Sequence, residues 1–159
     1  MNKDLEKKLE EKFSFMKKGK SLAEQKKEGF IGDLYSAFGL ECDDGWYDLI
    51  CDLCTEITKI YDEIKKPINI HVDQIKEKYG GLRFYFSLDN EKSDTSDAKN
   101  DNHELYKKIY QIVQNYCDKS YEVCEVCGEP GTLREDLSWT RTLCDCCRKK
   151  YIYETNYVL

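Results

Sequence analysis

The stretch DGWYDLICDLCTEITKIYDEIKKPINIHVDQIKEKYGGLRFYFSL, residues 44–88, decides the fold. In its first half Trp46, Leu49, Ile50, Leu53, Ile57, Ile60, Tyr61 and Ile64 recur at steps of three and four. That period predicts an amphipathic helix, with Asp43 or Asp44 placed to cap it. Pro67 ends the run, because it cannot donate to the helical ladder and it disfavours α geometry at Lys66. About 20 residues give a rod of roughly 30 Å, long enough to cross a small sheet. Beyond Pro67 the period drops to two. Ile68, Ile70 and Val72 alternate with polar neighbours, and so do Leu82, Phe84, Phe86 and Leu88 beyond Gly80-Gly81. Two half-buried strands joined by a glycine turn are the expectation, with the long helix packed on their apolar face. The opposite face would carry His71, Arg83 and Tyr85. A ring beside a guanidinium suits a planar or phosphorylated ligand, although an ordinary solvated face has the same composition.

Cys51 and Cys54 make a C-x-x-C within the long helix. The apolar period runs straight through them, so they read as packing residues rather than metal ligands.

Toward the C-terminus, the polar, aperiodic residues 89–101 predict a mobile loop. A second amphipathic helix follows, capped by Asp101 or Asn102, with Leu105, Ile109, Ile112, Val113, Tyr116 and Cys117 on its buried face. It leads into CEVCGEPGTLREDLSWTRTLCDCC, residues 124–147. The pairs Cys124/Cys127 and Cys144/Cys147 are separated by sixteen residues, the spacing of a four-thiolate zinc site. Four sulfurs at about 2.3 Å close a tetrahedron with no open position, so the expected Zn²⁺ is single and structural. Cys146 is then a spare thiol, since Cys144-x-Cys146 would make a cramped knuckle. Between the knuckles, Thr132–Asp136 and Ser138–Leu143 alternate as a small hairpin, with Trp139 covering its core. The last residues, RKKYIYETNYVL, turn from basic to aromatic and predict a docked tail or an oligomer interface.

Toward the N-terminus, residues 30–42 predict a short helical turn or two against the core. Residues 2–18 read as a charged helix with a thin stripe of Leu5, Leu9, Phe13 and Met16, packed loosely at the periphery. Ser21-Leu-Ala-Glu24 is a capping box that restarts a helix. The division expected is a charged arm over 1–28, an α+β core over 29–120, and a metal module with its tail over 121–159.

The 159 residues carry a formal charge of −6, which argues against a protein that mainly neutralises phosphate. The charge is uneven: residues 1–28 hold nine Lys against six Asp and Glu, leaving −9 for the rest. Nine cysteines without a signal peptide predict the reducing cytoplasm and metal-bound thiolates rather than a disulfide framework. No apolar run approaches a membrane span. Catalysis is not expected. No nucleophile triad, phosphate-cradling loop or paired carboxylates appear, and His103 is followed directly by Glu104 where a zinc deaminase has H-x-E. A nucleic-acid role would need Arg134, Arg141, Arg148, Lys149 and Lys150 on one face, with Trp139 or Tyr151 stacking on bases. Residues 121–150 nonetheless carry six acids against those five bases.

DGWYDLI (44–50), VDQIKEKYGGLRFYF (72–86) and the four-cysteine segment, in that order, resemble an uncharacterised family of small proteins of bacteriophages, prophages and bacteria. The resemblance spans residues 40–147. It implies a phage-encoded accessory protein with zinc at Cys124, Cys127, Cys144 and Cys147, and it brings no activity with it. The expectation is therefore a zinc-stabilised α+β binding protein for a protein or small ligand. His71, Arg83, Tyr85, Trp139 and Arg141 are the candidate contact residues, nucleic-acid binding or nucleotide sequestration through Arg83 and Tyr85 being the alternatives.

Overall fold

A computed structural model describes residues 1–89 and 96–156. The backbone begins with α1 (Lys3–Lys12), α2 (Leu22–Lys27), α3 (Leu34–Phe38) and the short strand β1 (Leu40–Glu41). A 3-10 turn over Asp44–Trp46 leads into the long helix α4 (Tyr47–Ile64). Strands β2 (Ile70–Lys78) and β3 (Gly81–Leu88) follow, then the second long helix α5 (Ser96–Lys119). A small hairpin of β4 (Thr132–Arg134) and β5 (Arg141–Leu143) precedes α6 (Asp145–Asn156). This is the expected α+β arrangement of a small sheet, two long amphipathic helices and a C-terminal four-cysteine module.

The core forms where the apolar stripes meet. Leu53, Cys54 and Ile57 of α4 and Ile109 and Val113 of α5 are buried with Val72, Ile75, Leu82 and Phe84 of the sheet. Cys54 lies wholly within this cluster, as packing predicts, and burial pushes its thiol up. Helix α4 stops at Ile64, three residues before Pro67, and its C-cap Lys65 adopts a left-handed φ of 52°. The Tyr61 hydroxyl then ties the helix end to Asn69 Oδ1 at 2.9 Å.

Strands β2 and β3 pair antiparallel, and β1 adds to β2 in parallel, giving the order β1-β2-β3. The turn is Tyr79-Gly80, both at positive φ (54° and 75°), which is the type I′ geometry of a two-residue hairpin. The expected turn at Gly80-Gly81 is thus one residue late, and Gly81 already pairs with Lys78. A bulge between Val72 and Gln74 adds a residue to β2, so Ile75 rather than Gln74 follows Val72 into the core.

Two segments differ from expectation. Helix α1 ends at Lys12, and Phe13 turns extended before a 3-10 turn over Ser14–Met16. Leu9, Phe13 and Met16 belong to the main core, so residues 1–28 are docked rather than a loosely packed arm. The polar segment expected to stay a loop over 89–101 is helical from Ser96, with 90–95 outside the described residues. Asp101 and Asn102 therefore lie inside α5 instead of capping it. The tail residues Tyr157 and Val158 also lie outside the described residues, while Tyr151 and Ile152 sit half-buried on α6.

Candidate metal centre and the adjoining cleft

The first knuckle is a tight turn in which the Gly128 N–H donates to the Cys124 carbonyl at 2.9 Å, and Gly128 takes a φ of +79°. Cys144 opens the second, at the start of α6, where the Arg148 N–H donates to its carbonyl and the Cys147 N–H reaches its sulfur at 3.4 Å. That N–H, and then the neighbouring thiols, hold the Cys144 thiol down at about 7. The two knuckles face each other. The four Sγ atoms of Cys124, Cys127, Cys144 and Cys147 all lie within 4.8 Å of one another, close enough to hold a metal ion. Cys146 is exposed and outside the cluster, which Cys147 completes.

The module is joined to the core through glycines. Gly45 donates its N–H to the Glu125 carbonyl at 2.7 Å. A methyl group at Gly45 would stand 2.5 Å from the Gly128 nitrogen and 2.6 Å from the Glu125 carbonyl. Its neighbour Trp46, fully buried, donates Nε1–H to the Val123 carbonyl at 2.9 Å. At the hairpin turn, the Thr142 hydroxyl donates to the Gly80 carbonyl at 2.6 Å, and a Cβ at Gly81 would strike the Tyr121 ring. DGW and YGG are thus the surfaces on which the four-cysteine module sits. Sequence patterning had marked them only as a cap and a turn.

Arg141, a candidate contact residue, is a half-buried clamp. Its guanidinium pairs with Glu125 Oε2 at 2.9 Å and with Asp43, and the Tyr151 ring lies 5.9 Å from its Cζ. Burial pushes the Glu125 carboxyl up, against the opposing pull of Arg141. Trp139, expected to cover the small hairpin, is 58 % exposed and donates Nε1–H to Glu77 Oε2 at 3.0 Å. It bridges β2 and the module rather than filling a core.

Arg83 and Tyr85 do come together, along the outer edge of β3. They line a cleft of about 460 Å³ with Tyr106 and Tyr110 of α5 and Tyr121. The Arg83 guanidinium donates to the Tyr121 hydroxyl at 3.0 Å and to the Leu82 carbonyl at 2.9 Å. Phe86, Tyr106 and Tyr110 form a run of rings with centroids 4.9 and 6.0 Å apart. His71 is not in this lining; it stands half-exposed with Nε2 3.9 Å from Asp73 Oδ1. The i, i+4 spacing of Tyr106 and Tyr110 was the sequence signal for this wall, hidden because both flank the apolar stripe.

Comparison with protein-family models, curated proteins and solved structures returned no match. Among the described residues, no helix is long and apolar enough to cross a membrane.

Proposed function

We propose that this chain is a zinc-stabilised binding protein, working in a reducing compartment such as the cytoplasm, whose cleft between β3 and α5 takes a protein or small-molecule ligand. Zinc is the ion favoured by four cysteines and no other ligand type. The Cys127 and Cys144 sulfurs lie 3.7 Å apart, against an edge of about 3.8 Å for a tetrahedron with zinc–sulfur bonds of about 2.3 Å. A closed four-thiolate site leaves the ion a structural role, and a phage accessory protein that captures a host factor fits this design.

The observation that carries the binding role is the cleft itself, whose volume lies within the usual range for ligand sites. A nucleic-acid role has less support. Arg134 pairs with Asp145, Arg141 with Glu125 and Asp43, Arg148 with Asp136, and Lys150 with Glu154. Cations held by carboxylates offer a phosphate backbone little.

Metal analysis of the purified protein is expected to give one zinc per chain. Native mass spectrometry of protein isolated from its natural host is expected to show a bound partner or ligand that Tyr110→Ala releases. A folded protein without metal would overturn the zinc assignment, and a partner indifferent to Tyr110→Ala would remove the cleft from the function.

A further inference from the structure

We infer that the β3–α5 cleft selects a cation, a guanidinium or ammonium on a flexible stem, rather than the phosphorylated ligand that Arg83 alone suggests. The inference rests on the cleft being the binding site and adds the chemistry of what enters it. Among the described residues, three charged side chains line the cleft, and two of them, Asp73 and Asp118, are carboxylates. The third, Arg83, has both terminal nitrogens engaged, with Leu82 and Tyr121. A phosphate entering here would meet two negative charges and a guanidinium already bonded. A cation would meet the carboxylates and a wall of tyrosine faces, whose quadrupoles attract positive charge.

The chain already uses these rings that way. Arg83 Cζ lies 6.0 Å from the Tyr121 centroid, and Lys76, outside the lining, places Nζ 5.9 Å from the Tyr85 centroid. Tyr106 and Tyr110, stacked at an interplanar angle of 17°, keep 38 % and 47 % of their surface exposed. They are the faces on offer to an incoming group. The net charge of −6 draws cations toward the whole surface.

The test is calorimetric titration of the zinc-loaded full chain with three probes: agmatine, the peptide Gly-Arg-Gly-Arg-Gly with blocked ends, and AMP. The peptide or agmatine is expected to bind and AMP not. Tyr110→Ala and Asp118→Asn should each weaken the cation about two- to fivefold, and Tyr110→Phe, which keeps the ring face, should restore it. Peptide binding without agmatine binding points to a basic segment of a partner protein, and binding of both points to a free amine as sufficient. AMP binding that Tyr110→Ala abolishes, with no cation binding, overturns the charge assignment and leaves the cleft as the site. Failure of both cations to bind, or cation binding unaffected by Tyr110→Ala and Asp118→Asn, also overturns the inference.

Discussion

Replacing Gly45 by Ala is the most direct probe of how the metal module is held. The added methyl would sit 2.5 Å from the Gly128 nitrogen and 2.6 Å from the Glu125 carbonyl oxygen. Both are backbone atoms inside the first knuckle, so no side chain can swing aside. Relief requires the 3-10 turn at Asp44–Trp46 or the knuckle itself to move. Overpacking of this kind costs about 1–3 kcal/mol. Lower entropy of the unfolded Ala chain offsets about 0.4–1 kcal/mol of that. At about 2–4 °C per kcal/mol for a chain of this size, the melting temperature should fall by several degrees. Because the displaced atoms belong to the turn that presents Cys124 and Cys127, the proposed zinc should also pass faster to a chromophoric chelator. Gly19→Ala is the control: its methyl would meet only Ser36 Oγ at 3.4 Å and Asp33 Oδ2 at 3.6 Å, ordinary contacts. If Gly45→Ala matches Gly19→Ala in both melting temperature and metal release, the close approach at Gly45 does not hold the knuckle.

Other substitutions test separate joints. Trp46→Phe keeps most of the ring but strands the Val123 carbonyl, and should cost about 1–3 kcal/mol in urea unfolding. Cys144→Ser should abolish stoichiometric zinc while Cys146→Ser retains it, measured by metal content after gel filtration. Glu6 is nearly inaccessible; burial opposes its charge, yet the Lys18 ammonium, the Leu40 N–H and Lys3 outweigh it and hold its carboxyl below the usual carboxylate range. A carboxyl depressed by folding adds stability in full above its unfolded value and loses it as pH falls through the folded one. Glu6→Gln should therefore lower stability at neutral pH and flatten the acid limb of the stability curve.

The periodic parts of the fold were legible in sequence because burial repeats along them. Ile57, Ile109 and Phe84 each sit on a stripe that a helix or strand must hide. The cysteine spacing likewise carried its own chemistry, down to the choice of Cys147 over Cys146. What stayed hidden depends on contacts between distant segments. Gly45 is glycine because residue 125 passes beside it, and Arg141 is a clamp because Asp43 and Glu125 converge on it. Neither fact has a local signature. The N-terminal segment misled for another reason. Its stripe of Leu9, Phe13 and Met16 is thin because the chain breaks at Phe13 and buries those side chains from two short pieces.

Tyr121 stands three residues before Cys124 and has two neighbours of different kinds. Its ring lies where a side chain on Gly81 would have to go, and its hydroxyl accepts from Arg83 at the wall of the cleft. The same residue thus terminates the cleft and leads into the four-cysteine segment. Under the proposed function, if a bound ion holds Tyr121 in place, an occupant that needs Tyr121 there would bind the loaded chain more tightly, and the ion would be held more tightly by the same factor, since coupling between two sites is reciprocal. In that case, depleting the ion would loosen the hold of the cleft on its proposed ligand.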